Sequence, residues 1–165
     1  MSYKVQSSEK LRKSGADFET KAMLYLLNFR EDSSQINYFV VDFFNDITGI
    51  DRKARKLWDA QSKASKNSSA KTIGRELVTL YKNHVSDFDF FTYIIFLGGV
   101  PETFRIDAKQ NVFQSTNITP KALNSVLLGL KEECAKKEYI ESDKVTDESL
   151  ENFLNLVWFV VDDKE

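Results

Sequence analysis

Two stretches, KLWDAQSK at residues 56–63 and FFTYIIFLGG at residues 90–99, decide the fold. In the first, a period of two puts Leu57, Asp59, Gln61 and Lys63 on one face and Trp58, Ala60 and Ser62 on the other, so that one face collects the polar groups. The second is a near-continuous apolar run closed by Gly98-Gly99-Val100-Pro101, which suits a strand buried on both faces. Between them, Lys66 to Lys71 reads as a loop, and Ile73, Leu77, Leu80 and Tyr81 recur at helical spacing. Strand, helix and buried strand predict a βαβ unit with a parallel crossover.

Working outward, Phe18, Ala22, Tyr25 and Phe29 predict a largely buried helix, and Ile36 to Phe44 suits a strand. Asn45, Asp46 and Thr48-Gly49 then signal a turn or a kinked strand pair. Downstream, Thr119-Pro120 is an N-cap and N1 pair for a helix through about Lys137, with Ala122, Val126, Leu130 and Cys134 on one side. A further helix begins near Thr146, and Asn155 to Asp162 reads as a last buried strand. Residues 1–13 show no periodicity and read as a flexible leader; residues 14–165 read as a single domain, the N-terminal part of a longer protein. The fold class expected is α/β, with a mixed central sheet and additional C-terminal helices.

The length of 165 residues allows a single well-filled core, and 42% hydrophobic residues with only six glycines and two prolines exclude disordered and fibrous classes. One cysteine, Cys134, excludes an internal disulfide framework, and with His84 as the lone histidine a Cys/His zinc site is excluded too. The absence of a signal-like or membrane-spanning apolar run predicts a cytoplasmic protein. The net charge of −2 hides an asymmetry: nine Lys and Arg face two acids between residues 52 and 82, and from residue 138 onward nine acids face two lysines. A polyanion would meet the middle of the chain, where Lys66, Lys71 and Arg75 flank the 61–63 triplet.

An acid at the end of one strand and a polar-x-Lys triplet on its neighbour supply what a divalent-metal phosphodiesterase needs. Asp46, Gln61 and Lys63 are spaced in that way. Carboxylate and amide offer hard oxygen ligands, while the ammonium offsets charge on the phosphate. Asp59 shares the strand face of Gln61 and Lys63, and either joins the site or pairs with a neighbouring Arg. No Gly-x-x-x-x-Gly-Lys sequence for cradling phosphates occurs.

On these residues the chain resembles the PD-(D/E)XK nuclease superfamily, in the variant where Gln replaces the second acid. It is most similar to the N-terminal double-stranded-DNA endonuclease domain of bacterial anti-phage effectors, including those associated with cyclic-oligonucleotide synthases. The matching pattern is Ser14-Gly15-Ala16-Asp17-Phe18-Glu19, then Asp42 and Asp46, then Asp59-Ala60-Gln61-Ser62-Lys63, over roughly residues 14 to 100. The resemblance implies a restriction-endonuclease-like α/β/α core, Mg2+ or Mn2+ at Asp46 and Gln61, and Lys63 as the catalytic lysine. It makes Glu19 an accessory first-helix acid that also reaches the metal, with Asp42 and Asp59 as further accessory acids. It further implies double-stranded DNA as substrate, a sensor domain elsewhere in a longer chain, and a homo-oligomer that brings two cutting sites together. The alternatives are a nuclease-like domain without catalysis that binds nucleic acid or a protein, and an unrelated α/β interaction module.

Overall fold

The computed structural model describes residues 13–42, 44–86, 89–90 and 92–162; the leader expected at 1–13 lies outside these, except for Lys13. Helix α1 spans Lys13–Asn28, and strands β1 (Ile36–Val41), β2 (Ile47–Asp51) and β3 (Leu57–Lys63) follow it. Two short helices, α2 (Ala70–Glu76) and α3 (Val78–His84), lead to β4 (Thr92–Leu97). Then come β5 (Val112–Phe113), α4 (Pro120–Cys134), α5 (Asp147–Leu156) and β6 (Val157–Val161).

The six strands form one sheet in the order β1-β2-β3-β4-β6-β5. The first three are antiparallel neighbours, β3–β4 and β4–β6 are parallel, and β5 closes the far edge antiparallel to β6. The βαβ crossover from β3 through α2 and α3 to β4 is therefore parallel, as the periodicity predicts.

Helix α1 lays Phe18, Ala22 and Leu26 on one face of the sheet, against Ile47, Trp58, Ala60, Ile94 and Phe96. The other face receives α2 to α5, whose Ile73, Leu77, Leu80, Val126, Leu130 and Phe153 pack with Ile95, Leu97, Phe159 and Val161. The architecture is thus α/β with three layers. All six residues of β4 are buried, because helices cover both of its faces.

Local chemistry sets the helix ends. The Ser69 hydroxyl accepts from Thr72 N at 3.1 Å and starts α2. Thr119 caps α4 through Ala122 N with Pro120 in its first turn, and Thr146 caps α5 through Ser149 N. The helix expected through Ile73 and Tyr81 is broken at Leu77, whose N–H is shared between the carbonyls of Ile73 and Gly74. Gly74 of α2 and Gly129 of α4 let these helices touch backbone to backbone; a Cβ at either would collide with a carbonyl of the other.

Several boundaries differ from expectation. The first strand stops at Val41, because Asp42 takes a left-handed turn with φ 56° and begins the loop to β2. Of the two expectations for Thr48-Gly49, a turn or a strand pair, the structure takes the strand: both lie inside β2, where Gly49 makes room for Ile36 and Trp58. Helix α4 ends at Cys134, short of Lys137. At the C-terminal end, α5 continues through Leu156, and β6 starts at Val157 rather than at Asn155.

Candidate functional site

Strand β3 sorts its side chains as the period-two pattern requires. Trp58 and Ala60 pack under α1, while Asp59, Gln61 and Lys63 turn toward α2 and α3. There they meet a row of polar side chains at helical spacing. Lys63 Nζ lies 2.6 Å from Glu76 Oε1, Thr79 Oγ1 donates to Gln61 Oε1 at 3.3 Å, and Asn83 Nδ2 donates to Asp59 Oδ2 at 2.6 Å. The result is a polar seam between strand and helices, graded from partly exposed at Lys63 and Glu76 (36% and 28%) to fully buried at Asp59.

Asp46 enters from the connection just before β2. Its Oδ2 accepts from Ser62 N and from Ser62 Oγ, both at 2.7 Å, so the carboxylate docks on the middle residue of the Gln61-Ser62-Lys63 triplet. The β2–β3 register pairs Ile47 with Ala60, and one further step places Asp46 opposite Gln61. The structure therefore brings Asp46, Gln61 and Lys63 to one end of two adjacent strands.

The five-residue connection that carries Asp46 is held at several points. Asp42 N donates to Asp46 O at 3.2 Å, the Phe44 ring stands edge-on to Phe90, and Asn45 Nδ2 donates to Asp59 Oδ2 at 2.6 Å. Asp42 itself is exposed and meets the site through its backbone.

Asp59 is 0% exposed, and its Oδ1 is a buried atom with no hydrogen-bond partner. Thr48 Oγ1, on the residue paired with Asp59 across β2–β3, is another. Burial pushes the Asp59 carboxyl up to about 6; the Asn83 and Asn45 amides and the Lys82 charge oppose the rise, and the nearby Asp46 charge adds to it. Such a group is a structural carboxylate sealed behind the site rather than a ligand open to solvent.

The other expected residues are placed differently. Glu19 is half-buried on α1, the helix covering the face opposite to the one that Gln61 and Lys63 take. Lys71 and Arg75 both lean on Glu132 of α4, at 2.7 and 3.3 Å, while Lys66 is exposed in the loop after β3. His84, the last residue of α3, is half-buried among Tyr81, Tyr93 and Phe153, and that burial lowers its pKa. Cys134 is buried as expected, which pushes its thiol up to about 11.

Among the described residues, no three of His, Cys, Asp and Glu stand together as a metal-binding group. Asp46 and Gln61 carry hard oxygen ligands of the kind Mg2+ takes; Ser62 engages the Asp46 carboxylate and Thr79 engages the Gln61 amide oxygen. Sequence reasoning missed Glu76, Thr79 and Asn83. Their spacing of three and four, interrupting an otherwise apolar helical stripe, was the available signal. Comparison with known proteins finds no matching family model, no matching curated relative and no matching solved structure.

Proposed function

We propose that this chain is a metal-dependent endonuclease domain that hydrolyses phosphodiester bonds of double-stranded DNA and serves as the effector of a bacterial anti-phage protein. The observation that carries the reading is the docking of the Asp46 carboxylate on the Gln61-Ser62-Lys63 triplet, with an ammonium group two residues from the amide. The order of helix, three antiparallel strands, helices and parallel strand is compatible with the α/β/α core that the resemblance implies. The DNA substrate and the defence role rest on that resemblance.

In this reading Asp46 and Gln61 would hold Mg2+, which when bound activates water and neutralises phosphate charge. The chain's own part begins with Lys63. To reach a phosphate it exchanges the Glu76 carboxylate for a phosphate oxygen, and both partners are exposed enough for that exchange in solvent. Its ammonium then offsets charge developing on the phosphorus oxygens. Ser62 fixes the Asp46 carboxylate through one oxygen, Oδ2. Glu19, on α1, would reach the metal only from the opposite face of the sheet.

A second reading has its own support. The engagement of Lys63 by Glu76, and of Lys71 and Arg75 by Glu132, favours a nuclease-like domain that binds nucleic acid or a protein without cutting. Supercoiled plasmid incubated with Mg2+, with EDTA and with Lys63→Ala separates the two. Metal-dependent nicking lost in Lys63→Ala supports the enzyme; plasmid left intact in Mg2+ leaves the binding module.

A further inference from the structure

The buried Asp59 carboxylate has no assigned work, yet it joins the two parts of the fold that define the site. Its Oδ2 receives Asn83 Nδ2 from α3 and Asn45 Nδ2 from the β1–β2 connection, each at 2.6 Å. Asn45 immediately precedes Asp46, whose Oδ2 accepts from the Ser62 N–H and hydroxyl. Anchoring Asn45 therefore fixes where the next carboxylate can stand. Asp59 has full burial and holds both amides on one oxygen, which suits an anchor and not a group that meets substrate.

We propose that Asp59 is a positioning residue: through Asn45 it clamps the β1–β2 connection to β3 and α3, and so presents the Asp46 carboxylate to the Gln61–Lys63 triplet. The positioning role rests on the nuclease reading; the clamp itself does not.

The test reads the Ser62 amide, which reports the Asp46 bond directly. In Asn45→Ala the amide exchanges at least about tenfold faster, beyond any change in global stability, because a hydrogen bond to a charged group is worth that order. Asn83→Ala breaks the link to α3 and keeps the one to Asn45, so it leaves Ser62 exchange within about twofold. The exchanged pair, Asn45→Asp with Asp59→Asn, restores an amide–carboxylate bond with its polarity reversed and returns the Ser62 amide resonance toward its wild-type position. A role in bulk stability alone would give no such recovery. Unchanged Ser62 exchange in Asn45→Ala, equal effects of Asn45→Ala and Asn83→Ala, or no recovery in the exchanged pair overturns the clamp.

Plasmid cleavage in Mg2+ is measured on the same proteins. Its loss in Asn45→Ala and return in the exchanged pair supports the positioning role. Cleavage that is unaffected in Asn45→Ala, despite faster Ser62 exchange, overturns that role. If the wild type cuts nothing while the Ser62 pattern holds, the nuclease reading falls and the clamp stands.

Discussion

Replacing Asp59 by Asn should make the protein more stable at neutral pH. In the fold this carboxyl has its pKa raised from an ordinary 3.8 to about 6, chiefly by burial. A shift of that size corresponds to about 3 kcal/mol between the two protonation states. The sign follows from proton binding. Between pH 4 and pH 6 the native state keeps the Asp59 proton and the unfolded chain releases it, so the stability contributed by this residue falls as pH rises through that window. Asn cannot ionise, and it puts an N–H donor in place of the unpartnered Oδ1, across from Thr48 Oγ1, which also lacks a partner. Its oxygen can still accept from Asn45 and Asn83.

Chemical denaturation from pH 3.5 to 8 should therefore show Asp59→Asn ahead by about 2–3 kcal/mol at pH 7.5 and nearly level below pH 4, with an unchanged m-value. Asp32, Asp51, Glu132 and Glu133, whose pKa values are lowered in the fold, titrate in both proteins and cancel in the difference. A difference that stays flat from pH 4 to pH 7, or a variant less stable than wild type at pH 7.5, would refute the reasoning.

Other outcomes follow from the same contacts. If the proposed DNA binding holds, Glu132→Gln, which frees Lys71 and Arg75, should raise DNA affinity in fluorescence anisotropy and steepen the fall of its logarithm with salt by about one to two further counterions. Glu76→Gln removes a half-exposed ion pair and should cost no more than about 1 kcal/mol in urea denaturation. Gly74→Ala drives a methyl group into the α4 backbone at Val126, and a loss of about 3 kcal/mol or failure to fold is expected by circular dichroism. Cys134, buried and with its thiol held up near 11, should react with a disulfide reagent at pH 8 only after denaturant is added.

Legibility in the sequence tracked how local each signal is. The β3 alternation, the unbroken apolar run of β4 and the Thr119-Pro120 cap each lie within a few residues, and each was realised. Strand β2 was harder, because Thr48-Gly49 has turn chemistry; its pairing to both β1 and β3, with Gly49 against Ile36 and Trp58, overrode that preference. Two-residue β5 has no period to read, and exists because Val112 and Phe113 add to the edge of β6.

For the site, spacing alone brought out Asp46, Gln61 and Lys63 as a set; the structure keeps Gln61 and Lys63 on β3, with Asp46 just before the adjacent β2 and bonded to Ser62. Glu19 was a different matter: a first-helix acid reads the same whichever face its helix covers. The choice of face depends on which apolar stripe packs where, and α1 chose the layer of Trp58 and Phe96.

The sequence by itself determined the layered α/β class and the row Asp59, Gln61, Lys63 on one strand face, because alternation is a property of consecutive residues. Only the tertiary structure decided the partners of that row: Glu76 for Lys63, Thr79 for Gln61, Asn45 and Asn83 for Asp59. Partners are set by the order of strands in the sheet and by where α2 and α3 cross it. Those placements come from burial summed over the whole core, so no short window of residues contains them.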